Sequence, residues 1–228
     1  MSTSDVAADD PVATKAPRPW ELRAIALLFM VGSFCFAIAS VPGIAAVVPA
    51  SVVGVTYFVG SIFFTSAATF VTVTTWRDQA RPGRPIPWDS LDWWAAVIQN
   101  VGTFWFNLNT YDAMTAGLSA QQENLRVWTP DFVGSICFLV ASELALMSVC
   151  KKPVCVCRDD RDWWIAAVNM LGSIFFMISA FAAFTLPDTG DLLDASIANS
   201  GTLLGAVCFF WAAWRSWPRP APLSLAPE

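Results

Sequence analysis

Six long apolar segments constrain the fold of this chain more than any other feature. They cover residues 22–40, 52–73, 91–111, 132–149, 163–186 and 197–214. The hydrocarbon core of a bilayer is about 30 Å thick, so about 20 apolar helical residues are needed to cross it. Because 56% of the residues are apolar and only 14% are charged, the composition agrees with this interpretation. The segments therefore predict an all-α integral membrane protein with six transmembrane helices.

One short phrase recurs in all six segments. A glycine is followed by a small residue and, four positions after the glycine, by phenylalanine. On a helix these positions lie on nearby faces, and small residues let helix backbones approach closely in lipid. We therefore predict that the phrase marks helix contacts. Its members are Gly32, Ser33, Phe36, Gly60, Ser61, Phe64, Gly102, Thr103, Phe106, Gly134, Ser135, Phe138, Gly172, Ser173, Phe176, Gly205 and Phe209, and Ala206 is the small residue of the sixth copy.

The spacing of the phrase indicates an internal repeat. Gly32, Gly102 and Gly172 are each 70 residues apart. The second glycines follow at nearly the same interval, at Gly60, Gly134 and Gly205. The spacing predicts three tandem two-span hairpins, at about residues 20–76, 90–150 and 159–217, within one membrane domain of residues 20–217. Each hairpin begins and ends on the same side, so we expect parallel repeats that form a pseudo-threefold bundle.

The basic residues set the expected orientation in the membrane. Of thirteen lysines and arginines, all except Arg126 flank the segments on the side of the two termini. Cytoplasmic loops are enriched in lysine and arginine, so this asymmetry predicts that both termini are cytoplasmic. Residues 1–19 contain too few apolar residues to fold alone, and we expect them to be a disordered cytoplasmic tail. Residues 218–228 are expected to form a second cytoplasmic tail.

Two copies of the phrase carry a resemblance to a known family. The sequence Phe-Val-Gly-Ser-Ile occurs at residues 58–62 and again at 132–136, and a phenylalanine closes each motif. It resembles the YrhK-like bacterial membrane domain, a two-span hairpin of unassigned activity. The resemblance covers each hairpin in turn and implies three tandem copies, a multi-pass protein of the bacterial cytoplasmic (inner) membrane, and no catalytic residues. The sixth segment departs from the motif with Ala206 in place of serine. In size and layout the chain is also similar to six-span accessory subunits of actinobacterial lipid-import machines of the mammalian-cell-entry type.

Polar residues follow one face of the third segment at spacings of three and four. They are Asn100, Thr103, Asn107, Thr110 and Tyr111, with Gln99 and Asn109 beside them. Amides without hydrogen-bond partners are costly in hydrocarbon, so this face is expected to point to the bundle interior or to another protein. We favour hydrogen bonds between helices; the alternative is a polar pathway or a ligand pocket.

Glu143 is the only acid deep within a segment. Its depth along the helix is similar to that of Gln99, Asn100 and Asn169. An intramembrane acid suggests function, such as a proton relay. We favour a polar clamp between the third, fourth and fifth segments, because no partner acid, lysine or histidine lies at that depth. The predicted intramembrane polar cluster comprises Gln99, Asn100, Asn107, Asn109, Glu143 and Asn169.

Three cysteines lie close together in one loop, with the spacing C-x4-C-x-C. These are Cys150, Cys155 and Cys157. Thiols can bind a soft metal, but a fourth ligand is missing and the chain has no histidine. A cytoplasmic location would argue against a disulfide. We expect no metal and no other cofactor, although the sequence leaves metal binding by these thiols open.

The composition also restricts the function. Without histidine the commonest general base is missing, and no Ser or Cys nucleophile has an identifiable base, so we expect no enzyme. A net charge of −5 excludes a nucleic-acid role. We predict a non-catalytic polytopic protein that acts as an accessory or scaffold subunit of a larger membrane complex, for example a lipid-transport machine. Its partners would be the lipid bilayer and other membrane-protein subunits. The alternative is a small transporter or channel that uses the polar face of the third segment and Glu143.

Overall fold

The computed structural model describes residues 17–152 and 155–218, and this part of the chain consists of helices joined by loops. The helices are α1 (Pro19–Ala39), α2 (Ile44–Val47), α3 (Ala50–Gln79), α4 (Leu91–Asp112), α5 (Ala120–Glu123), α6 (Thr129–Cys150), α7 (Arg161–Ala182) and α8 (Ala195–Ser216), with one π-helical turn (Asn124–Trp128) between α5 and α6. The all-α prediction is thus confirmed. The expected tails lie outside the described residues, except for residues 17–19 and 218.

Five stretches of the described chain are long and apolar enough to cross a membrane. They are Pro19–Ala39, Ala50–Gln79, Ala120–Cys150, Arg161–Ala182 and Ala195–Ser216. The chain is therefore a multi-pass membrane protein, in contact with the lipid bilayer. Helix α4 has the same 22-residue length as α7, but its amides and hydroxyls make it less apolar. Its crossing of the membrane, and with it the sixth span, stays a prediction.

Side chains at the helix starts explain several of the boundaries. Ser90 accepts a hydrogen bond from the backbone N–H of Trp93 at the start of α4, and Asp194 accepts one from Ile197 at the start of α8. Such caps satisfy N–H groups that have no partner inside the helix. Pro19 opens α1, where the missing N–H of proline costs nothing.

The six long helices form a closed ring. Contacts join α1 to α3, α4 to α6 and α7 to α8, and further contacts join α3 to α4, α6 to α7 and α8 back to α1. Helices α1 and α3 are antiparallel, because Glu21 at the start of α1 pairs with Arg77 near the end of α3, whereas Ser40 after α1 pairs with Tyr57 in the first half of α3. We call the end of the ring at which α1 begins and α8 finishes the terminal end, and the opposite end the distal end.

Six phenylalanines form the centre of the ring. Each long helix contributes one phenylalanine, and all six residues are between 2% and 6% exposed. Their centroids lie 4.9 to 6.5 Å apart, mostly in edge-to-face arrangements, which aromatic pairs prefer. We call this group the aromatic cluster; it comprises Phe36, Phe64, Phe106, Phe138, Phe176 and Phe209.

The glycines of the phrase lie where paired helices approach most closely. A methyl group added at Gly32 would stand 3.0 Å from the carbonyl oxygen of Gly60. One added at Gly134 would stand 3.1 Å from that of Gly102. The small residues that follow the glycines are almost completely buried as well. The phrase therefore faces the inside of this chain's own helix ring, where its small residues pack against neighbouring helices.

Candidate functional site

A cavity lies inside the ring on the distal side of the aromatic cluster. Its volume is about 200 Å³, and side chains of all six long helices line it. Phe36, Phe106 and Phe176 of the aromatic cluster border the cavity toward the terminal end, and Leu192 of the loop before α8 borders it at the distal end. Because every long helix contributes, the distal cavity lies within the ring and is not a groove on its outer surface. Leu192 and Asn199 in its wall are exposed, so the cavity opens toward the distal end.

Hydroxyl groups around the distal cavity are already paired with one another. The oxygens of Ser40 and Tyr57 are 2.7 Å apart, which links α3 to the residue that follows α1. Ser179 of α7 lies 2.7 Å from Thr202 of α8 and also donates to the carbonyl oxygen of Ala198. These bonds join neighbouring helices and hold the wall in place.

Asp131, in the first turn of α6, contributes the only carboxylate among the residues that line the distal cavity. Its side chain is only partly exposed, and within the described part of the chain it makes no hydrogen bond and no ion pair. No lysine or arginine lines the cavity. The distal cavity therefore contains one acid without a counter-ion from residues 17–152 or 155–218.

Equivalent positions of the three even-numbered segments meet at this cavity. Tyr57, Asp131 and Thr202 each lie three residues before the glycine of their segment, and all three line the cavity. These three residues are not among those predicted from the sequence. Their shared register relative to the glycine was the available signal, because one helical turn separates each residue from a contact position.

A second cavity lies inside the ring on the terminal side of the aromatic cluster. Its volume is about 230 Å³, and five of the six long helices line it. Phe209 of the aromatic cluster borders it, together with Phe29, Gln99 and Asn169. The aromatic cluster therefore separates this proximal cavity from the distal one.

The polar face of α4 is divided among several environments. Gln99 lines the proximal cavity, whereas Asn109 and Thr110 line the distal cavity. Asn100 accepts a hydrogen bond from Thr69 of α3 at 3.2 Å, and Thr110 lies 3.0 Å from Ser61 of α3. Some residues of this face therefore form hydrogen bonds to a neighbouring helix, as one interpretation of the sequence expected. Others line a cavity, as the alternative of a polar pathway or ligand pocket expected.

Three further residues of this polar face have other surroundings. Thr103 is fully buried and donates to the carbonyl oxygen of its own helix at Asn100. The side-chain oxygen of Asn107 is buried without a partner among the described residues. Tyr111 differs from the expectation of an inward face: it is 59% exposed and packs against Phe58, because it lies one residue beyond the inward-facing Thr110.

The structure brings only part of the predicted polar cluster together. Gln99 and Asn169 share the proximal cavity. Glu143 is half-buried, lines neither cavity, and makes no hydrogen bond or ion pair with any residue that the structure describes. The acid inside the ring is Asp131 and not Glu143, because rotation about the helix axis, and not depth alone, decides which residues point inward.

The cysteine loop differs from the expectation of free thiols. Cys150 and Cys155 form a disulfide, with their Cα atoms 5.6 Å apart. Lys151 adopts a left-handed backbone conformation that ends α6 and turns the chain back. The sulfur of Cys157 lies 3.5 Å from that of Cys155. The disulfide uses two of the three sulfurs that a C-x4-C-x-C metal site would need.

Comparisons with known proteins find no relative. No protein-family model, no curated protein and no solved structure matches this chain significantly. The resemblance to the YrhK-like domain therefore stays a prediction.

Proposed function

We propose that this protein is a small transporter or channel that moves a solute along the interior of its helix ring. The observation that carries the proposal is the pair of cavities on opposite sides of the aromatic cluster, within one closed ring of helices. Binding sites of transporters typically lie between helices near the middle of the membrane. The polar face of α4 contributes to both cavities, through Gln99 on one side and Asn109 on the other.

The aromatic cluster would act as the gate in this proposal. Hydrophobic constrictions close pathways because water and ions do not enter a narrow apolar passage. Six rings fill the space between the cavities, and Phe36, Phe106, Phe176 and Phe209 also border one cavity or the other. Movement of a few of these phenylalanine side chains would join the two cavities.

The finer architecture belongs to the same proposal. We infer three tandem two-span hairpins around a pseudo-threefold axis, of the YrhK-like type, in a bacterial cytoplasmic membrane with both termini cytoplasmic. The interval between the glycines and the order of contacts around the ring support the hairpins. The distribution of basic residues supports the orientation. The chain has no histidine, which supports a non-catalytic role.

Solute leakage from lipid vesicles tests the gate directly. Vesicles that contain the purified protein would be loaded with potassium, methylammonium, chloride or glycerol, and efflux of each solute would be followed. We expect Phe176→Ala to raise the efflux of at least one solute tenfold or more over the wild type. Phe181→Ala is the matched control, because this residue lies on the same helix with its ring 57% exposed. If both variants leak no more than protein-free vesicles, the proposed pathway is wrong.

A second candidate function is that of an accessory subunit, and one observation favours it. The small residues of the phrase are used inside the ring, but a polar patch remains on the outer face of α3 and α4. Ser66 and Thr69 are exposed there, and Thr69 donates to Asn100. The amide N–H groups of Asn100 have no acceptor among the described residues, which is unfavourable against lipid and supports a protein partner at this face.

Site-specific photocrosslinking in cells tests the accessory role. A photoreactive amino acid at Thr69 should form a defined adduct with another membrane protein, and the same amino acid at the exposed Phe181 should not. Equal labelling of lipid at both positions, with no protein adduct, would contradict the accessory role and leave the transport proposal unaffected.

A further inference from the structure

We propose that the distal cavity binds a small organic cation of the alkylammonium class, with Asp131 as its counter-ion. The inference names the class of solute for the proposed pathway, and to that extent it rests on the proposed function. The binding step itself requires only the cavity and the residues that line it.

The charge distribution of the cavity is the first argument. Asp131 lines a cavity with no basic side chain in its wall, and its carboxylate makes no ion pair within residues 17–152 and 155–218. An unpaired charge inside a membrane protein is expensive, so such groups generally pair with an opposite charge. A cationic ligand would supply that charge, whereas an anionic ligand would be repelled.

The chemistry of the wall favours an organic cation over a metal ion. Hard cations such as calcium require six to eight oxygen ligands, and magnesium requires an octahedral shell. Here the hydroxyl of Tyr57 is bonded to that of Ser40, and the hydroxyls of Ser179 and Thr202 are bonded to each other. Phe36 and Phe176 of the aromatic cluster also line the cavity. Aromatic rings attract ammonium groups and pack well against alkyl chains.

Two amides complete the polar part of the site. Asn199 lines the cavity, and no hydrogen bond occupies its side chain among the described residues. Asn109 donates its N–H to the carbonyl oxygen of Val127 at 3.0 Å, which leaves its side-chain oxygen free to accept. An ammonium group has several N–H donors, so it could bind the Asp131 carboxylate and an amide oxygen together.

The volume limits the size of the ligand. A cavity of about 200 Å³ corresponds to about seven water molecules at about 30 Å³ each. A cation with a handful of non-hydrogen atoms fits this space. A short alkyl chain on the ammonium group would lie against the aromatic cluster, and the charged end would lie at Asp131.

Equilibrium binding to the purified protein in detergent tests the site without any flux. The probe is n-butylammonium chloride, with sodium chloride as the metal control and 1-butanol as the neutral control of the same chain length. We expect saturable binding of n-butylammonium to the wild type by calorimetry, with affinity at least tenfold above that for sodium or 1-butanol. Asp131→Asn should weaken the binding at least tenfold. Glu143→Gln should not change it, because Glu143 lies on the same helix but lines neither cavity.

A second measurement covers the case in which Asp131→Asn fails to fold. In an Asn199→Cys variant, a cationic thiosulfonate reagent should modify the new thiol at least tenfold faster than an anionic one, and n-butylammonium should protect it. The wild type, with its native cysteines, gives the background. Equal modification by both reagents without protection would overturn the proposal. So would equal loss of binding in Asp131→Asn and Glu143→Gln, or equal binding of 1-butanol.

The two proposals fail in different ways. Absence of n-butylammonium binding together with a leaking Phe176→Ala variant would overturn the cation site and support the pathway. Binding that depends on Asp131, with no efflux through any variant, would support the site and contradict transport.

Discussion

The carbonyl oxygen of Gly205 lies against Gly172, so that a methyl group added at Gly172 would stand 3.2 Å from that oxygen. The same relationship joins Gly32 to Gly60 and Gly102 to Gly134. Each contact lies between two consecutive long helices and beside a phenylalanine of the aromatic cluster. Close backbone approach of this kind is a main source of helix association in lipid, because lipid offers no hydrophobic force between helices.

Replacement of Gly205 by alanine should destabilise the protein. The new methyl group would overlap Cδ1 of Phe176, whose ring is fixed inside the aromatic cluster. Overpacking of a tight core costs about 1–3 kcal/mol, so the melting temperature in detergent should fall. Gly54→Ala is the control, because its methyl would meet only the flexible side chain of Met114, at 3.1 Å. Equal melting temperatures for the two variants would show that the glycine contact does not limit stability.

The contact positions could be predicted from the sequence because they depend on local features. A glycine, a small neighbour and a phenylalanine at fixed spacing identify one face of a helix without any knowledge of the other helices. The structure places Gly60 and Phe64 on that face, next to Gly32 and Phe36 of the preceding helix. The all-helical fold follows from the length of the apolar segments in the same direct way.

Depth along a helix could not predict that the acidic residue inside the ring is Asp131 and not Glu143. Glu143 lies nine residues after Gly134, and Trp214, nine residues after Gly205, is 58% exposed. Glu143 itself is half-buried and lines neither cavity. Asp131 lies three residues before Gly134, in the first turn of α6. Its place in a cavity wall depends on residues from five other helices, which no local pattern contains.

Neutralisation of Glu21 should weaken the terminal end of the ring. Arg77 of α3 binds both oxygens of this carboxylate, at 2.6 and 3.0 Å, and the Glu21 side chain is almost fully buried. Loss of the Glu21 charge removes the bidentate pair and leaves the Arg77 guanidinium with only its neighbour Asp78, at 3.2 Å. Glu21→Gln should therefore lower the melting temperature in detergent by more than Asp89→Asn does. Asp89 makes an exposed 3.5 Å pair with Arg84, and such pairs contribute little. The reverse order would contradict the structural role of the buried pair.

The disulfide in the cysteine loop predicts how many cysteines can be alkylated. Of six cysteines, Cys35, Cys137, Cys157 and Cys208 are free, and Cys150 is bonded to Cys155. Alkylation of the purified, denatured chain without reductant should therefore add four groups, and alkylation after reduction should add six, as measured by mass spectrometry. A Cys155→Ser variant should give five in both cases. Six groups on the wild type without reductant would show that the disulfide is not formed.

The number of cysteines that can be alkylated is expected to differ in intact cells, where the cytoplasm is reducing. If the loop between α6 and α7 lies in the reducing cytoplasm, as the positive-inside pattern predicts, rapid alkylation in intact cells should find all six thiols. A count of four in cells would place the loop on the oxidising side of the membrane and contradict the proposed orientation.

The membrane crossing of α4 decides whether the chain has three hairpins. Reporter tags placed after residues 45, 120 and 190 should all lie outside the cytoplasm, because twelve of the thirteen basic residues flank the opposite ends of the segments. Tags after residues 86 and 158, in loops at the terminal end, are the controls and should report from the cytoplasm. Helix α4 is absent from the stretches that qualify as spans by composition, so the tag after residue 120 is the decisive one. A cytoplasmic signal there would mean that α4 does not cross. The ring, both cavities and the transport proposal would then lose the wall that Gln99 and Asn109 form.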